Sequence, residues 1–139
     1  INYREEDFAA AVRAASGGAG VDVILDMVGG DYYERNIDLL KLKGRMIFIA
    51  TLGGSQAPLD IGRLMRKRLR LIGSVLRARS LAEKVEIKRR FMDRFWPAVT
   101  AGQIRPVIDR VYPIQEANAA HARMAANQNI GKIVLKIRD

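Results

Sequence analysis

The chain has 139 residues, 49% of them hydrophobic and 6% aromatic, a composition that fits one soluble globular unit with a core to bury. It carries no cysteine and one histidine, which excludes a disulfide framework, a thiolate nucleophile, a Cys-based zinc site and an all-histidine metal cluster. Its formal net charge of +9 biases it toward anionic partners, among them nucleotide phosphates and nucleic acid.

The first residues, Ile1-Asn2-Tyr3, read as the end of a short apolar strand, so the sequence is expected to begin in mid-element, inside a larger protein. Glu5, Glu6 and Asp7 then complement the dipole of a helix whose Phe8, Ala9, Val12 and Ala15 recur at helical spacing and which Gly17-Gly18 stops. Val21-Asp22-Val23-Ile24-Leu25-Asp26-Met27-Val28 is nearly continuous in apolar character, as expected of a strand buried on both faces of a parallel sheet. Gly29-Gly30 ends it. Asp31 can cap a helix with Tyr33, Ile37 and Leu40 on one stripe, closed by Lys43-Gly44 before a strand over residues 45–50. Strand, helix and strand in about 30 residues predict parallel pairing.

Thr51-Leu52-Gly53-Gly54-Ser55 is a glycine-rich turn, followed by a short helix carrying Leu59, Ile61, Leu64 and Met65 and by a strand over residues 69–74. Ser80 and Glu83 have the spacing of a capping box at the head of a long helix, with Leu81, Val85, Met92, Phe95 and Val99 on one side and a bend expected at Pro97. Beyond Gly102 the alternation becomes less regular. Residues 106–113 resemble an edge strand with a proline at each end. A helix from about Gln115 to Asn127 puts His121 on its apolar row, where a packed or partly buried side chain is expected, and a strand over residues 131–137 closes the chain.

No Gly-x-Gly-x-x-Gly turn lies between a strand and a helix, so the pyrophosphate-binding start of a dinucleotide fold is missing. Gly17-Gly18-Ala19-Gly20 follows a helix and precedes a strand, the reverse of that arrangement. The basic clusters at Arg63, Arg66, Lys67, Arg68 and Arg70 and at Lys84, Lys88, Arg89 and Arg90 read as a solvated face. A nucleic-acid-binding module is the rival reading from another class, and it lacks the interleaved aromatic residues of an RNA platform.

Several strings taken in order carry a family resemblance: Asn2-Tyr3, the 20–26 segment with Val28-Gly29-Gly30, Gly53-Gly54, Gly73-Ser74 with Leu76-Arg77-Ala78-Arg79, the 104–110 segment and the 129–135 segment. Together they resemble the medium-chain dehydrogenase/reductase superfamily over essentially the whole chain. They are most similar to its zinc-independent quinone oxidoreductases, of the p53-inducible-protein-type branch. The resemblance implies an α/β fold: the C-terminal part of a Rossmann parallel sheet, with the end of strand 3 and strands 4, 5 and 6, plus a returning segment of the catalytic domain. Residues 1–102 would be a partial dinucleotide-binding domain without its first two strands, and residues 103–139 the C-terminal segment of the catalytic domain.

Ligands of open parallel sheets bind beyond the carboxyl ends of the strands. On the resemblance, Gly29, the turn Thr51, Leu52 and Gly53, and the turn Ser74, Val75 and Leu76 face the cofactor NADPH, with Tyr3 near its adenosine part and Asn129 reaching it from the other domain. Tight turns, an ordinary strand tyrosine and a turn asparagine explain the same residues without a ligand. No catalytic acid or base and no metal ligand is assigned. The implied activity is hydride transfer from NADPH to a quinone-like small molecule by a cytoplasmic homodimer paired through the Rossmann domain, with this chain alone inactive. An enoyl reductase of the same superfamily is the nearest alternative.

Overall fold

A computed structural model describes residues 1–138, and the chain divides into two compact units, Ile1–Ser80 and Leu81–Asp139.

In the first unit, α1 (Phe8–Ala15) starts at Asp7, whose carboxylate accepts the backbone N–H groups of Ala9 and Ala10 at 2.7 and 3.3 Å. These two bonds, that of Ala10 first, lower the Asp7 pKa. Gly17 and Gly18 close the helix with φ of 59° and 83°, returning their N–H groups to the carbonyls of Ala14 and Arg13. β1 (Val21–Asp26), α2 (Tyr33–Leu39), β2 (Leu40–Phe48), α3 (Ile61–Lys67) and β3 (Arg70–Gly73) follow. The three strands form one parallel sheet in the order β1-β2-β3, the arrangement expected of strands joined by helical crossovers.

The register places Ile24, Met46 and Leu71 in one row across the strands and Leu25, Ile47 and Ile72 in the next. The first row faces the helices. Tyr33, Ile37, Leu40, Met46 and Leu69 are buried together, with Val21, Ile24, Phe48, Leu64 and Leu71 packed on them, so the stripe read from Tyr33, Ile37 and Leu40 is the centre of the core. The second row is open. Val23 and Leu25 are 45% and 61% exposed and Ile72 is 41% exposed, which corrects the expectation that β1 is covered on both faces. Successive residues of a strand point to opposite faces, and here α2 and α3 supply a cover on one of them.

Three boundaries differ from the sequence reading. Asp31 does not cap α2; it lies in a 3-10 turn, Gly30–Tyr32, that leads into the helix. The helix ends at Leu39 rather than at Lys43-Gly44, because Leu40 is already extended and pairs with Val21. Residues between Leu40 and Arg45 bulge from the strand through Lys43 at φ 63°. Ile1-Asn2-Tyr3 are in no strand. A strand needs a neighbour for its backbone groups, and the Asn2 carbonyl instead accepts the N–H groups of Glu5 and Glu6 at 2.9 and 3.1 Å.

The second unit holds α4 (Leu81–Thr100), β4 (Ile108–Pro113), a 3-10 turn, α5 (Ala117–Ala125) and β5 (Lys132–Lys136). Pro97 sits inside the last turn of α4, and Gly102 at φ 71° ends it, with Gln103 N–H returning to Ala98 O at 2.8 Å. β4 and β5 pair in parallel across α5, so strand-helix-strand alternation continues past Gly102. Two strands make two edges, which suits Pro113 as the last residue of β4 and Pro106 ahead of it. Among the described residues no helix is long and apolar enough to cross a membrane.

Candidate functional site at the carboxyl ends of the strands

The carboxyl ends of β1, β2 and β3 lie side by side, and their loops are joined by backbone hydrogen bonds. Ile49 N–H donates to Asp26 O at 2.8 Å and Ser74 N–H to Phe48 O at 2.9 Å, extending both ladders by one bond. The 51–54 turn folds back on the end of β1: Leu52 and Gly53 donate to the carbonyls of Met27 and Val28 at 3.1 and 2.7 Å, and Gly30 and Asp31 donate to those of Gly54 and Gly53 at 2.9 and 3.1 Å.

Glycine is required where these loops meet. Gly29 has φ 82°, and a Cβ there would stand 2.5 Å from Gly54 O. At Gly53 a Cβ would meet Val28 Cγ1 at 2.7 Å and the Asp31 carboxylate at 2.9 Å. Gly29 therefore serves a close backbone approach, and Gly53 leaves room for the Val28 and Asp31 side chains. Gly73 is different, since a Cβ there would meet nothing within 4 Å.

Beside Gly73 lies a cleft of about 340 Å³ lined by Phe48, Ile49, Ala50, Thr51, Gly73, Ser74 and Val75. Its walls are apolar or small, with the hydroxyl-bearing Thr51 and Ser74 as its polar side chains. A neighbouring cleft of about 250 Å³ is bounded by Gly29, Gly30, Tyr33, Phe48, Leu59 and Leu71 along with Thr51. Burial, ahead of its charged neighbours, raises the pKa of the Tyr33 phenol. Thr51 and Phe48 belong to both clefts.

The structure thus brings Thr51, Ser74 and Val75 to one cleft and Gly29 and Thr51 to the other. Gly53 is engaged in the loop junction. Leu52 and Leu76 stand out at 81% and 59% exposure, and Tyr3, ahead of α1, is 53% exposed. Asn129 is in the second unit, where its side-chain Nδ2 donates to Gly131 O at 2.9 Å. That turn is tied down by Asp109, which accepts Ile130 N–H at 3.2 Å and pairs with Arg123 at 2.7 and 3.1 Å. Arg123 in turn donates to Gln128 O at 3.2 Å. His121 is exposed rather than packed; it borders a shallow recess with Ala120, Met124, Ile133 and Leu135.

Two residues at the first unit's loops were given no role from sequence. Arg79 donates to Ser74 Oγ at 3.5 Å. Asp26, at 3% exposure, accepts Val28 N–H at 2.8 Å and Gly29 N–H at 3.2 Å. An acidic residue three positions before a glycine at a strand end is the available signal for the second; nothing in the sequence distinguishes Arg79 from Arg77. Apart from the Tyr33 phenol, neither cleft is lined by an acidic or basic side chain.

The sequence profile of zinc-binding dehydrogenases matches residues 1–135. The chain is 32% identical to a 2-haloacrylate reductase from Burkholderia sp, covering 97% of this chain and 40% of that protein. It is 27% identical to quinone oxidoreductase 1 of Escherichia coli (strain K12), covering 97% of this chain and 42% of that protein. A crystal structure of a putative alcohol dehydrogenase from Sinorhizobium meliloti 1021 superposes with a TM-score of 0.74 at 28% identity, over 99% of this chain and 37% of that one. The chain spans about two fifths of the length of the curated relatives it matches, and its parallel sheet corresponds to their C-terminal Rossmann-like part. By this match over nearly its whole length, the chain belongs to the zinc-binding dehydrogenase family of the medium-chain dehydrogenase/reductase superfamily.

Proposed function

We propose that the protein carrying this chain is an NADPH-dependent oxidoreductase that reduces quinone-like acceptors, and that residues 1–102 form the nicotinamide side of its cofactor site. The observation behind this reading is the cleft over the carboxyl ends of β2 and β3. Its floor of Ala50, Gly73 and Ser74 is small enough for a flat ring to approach the backbone. The small and apolar lining of this cleft suits the ring end of a dinucleotide. Residues 103–139 are assigned to the catalytic domain, and Tyr3 and Asn129 enter the site through the family resemblance alone.

Bound NADPH would supply a hydride. The chain's own part is to hold the ring end and to keep water from it. Thr51 and Ser74 offer hydroxyls at the cleft, Phe48, Ile49 and Val75 offer apolar walls, and the loop junction fixes the turn that carries Thr51. The chain has no cysteine and one histidine, and among the described residues no group of three or more His, Cys, Asp or Glu is placed to hold a metal ion. Zinc-independent chemistry is part of the proposal on the strength of the resemblance to the zinc-independent quinone oxidoreductases, and no step is routed through zinc.

A second reading follows from the 2-haloacrylate reductase relative, whose named substrate has a polarised carbon-carbon double bond. An enoyl-type reductase would use the same cofactor cleft. Acceptor profiling of the full-length protein with ortho-quinones and with activated acrylates or enoyl thioesters separates the two, and turnover of double bonds without quinone reduction rejects the first. The protein is further proposed to be a cytoplasmic homodimer paired through its dinucleotide-binding domain, and this chain alone to be inactive.

A further inference from the structure

Asp26 ends β1 and is 3% exposed. Burying a carboxylate is costly unless hydrogen bonds replace its water. Here the replacements are all backbone: Val28 N–H at 2.8 Å on one oxygen, and Gly29 N–H at 3.2 Å to each of the two. Further backbone bonds continue from this point. With the chain bent at residues 27–29, the carbonyls of Met27 and Val28 receive Leu52 and Gly53 N–H, and Gly54 O receives Gly30 N–H. The two loops come so close that Gly29 has no room for a Cβ beside Gly54 O. Thr51, on the same turn, lines both clefts.

The carboxylate therefore acts at a distance from the cleft. It orients two N–H groups, the bend they make orients two carbonyls, and those carbonyls fix the 51–54 turn. We propose that Asp26 is a positioning residue for the nicotinamide cofactor, setting where Thr51 stands at the cleft by fixing the β1 turn to the β2 turn. This rests on the cofactor reading given above. Asn at this position keeps one acceptor oxygen and replaces the other with a donor that Gly29 N–H cannot use. Ala removes both.

The test is made in the full-length protein with D26N and D26A, measuring KM for NADPH, kcat and Tm, with G29A as a variant that disturbs the same junction from the other side. Losing charge-assisted hydrogen bonds at a binding loop is expected to raise KM for NADPH roughly tenfold in D26A. D26N should fall between D26A and the wild type, with kcat largely kept and Tm near that of the wild type, and G29A should raise KM as well. Should D26A fail to fold, D26N decides the matter. Folded variants with wild-type KM, or a loss of kcat and Tm with KM unchanged, would mean that Asp26 only stabilises the fold. A wild-type protein that binds no NADPH overturns the cofactor reading and this inference together, whereas wild-type binding with unaltered variants overturns the inference alone.

Discussion

The Asp109 carboxylate holds the Arg123 guanidinium at two points, 2.7 and 3.1 Å, and so ties β4 to α5. The same carboxylate accepts Ile130 N–H, so one acidic group fixes a strand, a helix and the turn bearing Asn129. The Arg123 hydrogen bond, followed by that of Ile130, holds the Asp109 pKa down to about 2.

A folded-state pKa below the unfolded value of about 3.9 stabilises the protein above that value and loses its effect as pH falls through the folded value. Asp109→Asn should therefore unfold at lower urea than the wild type at pH 6, and the gap should narrow between about pH 4 and pH 2. Urea midpoints for both proteins across this range check it. A gap independent of pH would show that the carboxylate's charge contributes nothing.

Met46 is fully buried in the core row of the sheet, whereas Leu25, one row over, is 61% exposed. Truncating a buried Met leaves a cavity and should cost about 2–5 kcal/mol, while an exposed Leu should cost roughly 0.5 kcal/mol or less. Denaturant unfolding of Met46→Ala and Leu25→Ala in this chain measures the difference. Equal losses would indicate that both faces of the sheet are covered.

On α4, Arg89 pairs with Glu86 and Asp93, and Arg90 also pairs with Glu86. Hydrogen bonds from Arg89 and then Arg90 bring the Glu86 pKa to about 2, yet these groups lie in water, where such pairs contribute little. The double variant R89E/R90E should keep NADPH affinity in the full-length protein. Salt-sensitive RNA or DNA binding by the wild type, lost in this variant, would favour the nucleic-acid reading instead.

The order and type of the elements in the first unit were legible because parallel strands and amphipathic helices leave different periods. Tyr33, Ile37 and Leu40 marked the core from spacing alone, and Gly17-Gly18 marked the end of α1. Their limits were less legible. Leu40 continues the helical stripe, but pairing with Val21 draws it into β2, and no local preference encodes a partner 19 residues away. The open row at Leu25 and Ile72 was hidden for a related reason, since apolar character predicts a need for cover and not its presence in this chain. At the site, the glycines were found but their contacts were not: Gly29 and Gly53 answer to each other's loops, while Gly73 borders open space. The role of Asp26 was not legible because its partners are backbone groups, which leave no mark on sequence.

Gly73 gives the most direct test of the cofactor site. It lines the larger cleft, its φ is not in the left-handed region, and a side chain there would meet no protein atom at Cβ. Gly73→Val in the full-length protein should therefore fold normally and fill the space proposed for the nicotinamide end. Titration of both proteins with NADPH, followed by the fluorescence of the reduced nicotinamide, should show saturable binding to the wild type and a loss of at least roughly tenfold in affinity in the variant, about 1.4 kcal/mol. Equal affinity in the two proteins, or no binding to the wild type, would contradict the assignment of this cleft to the cofactor.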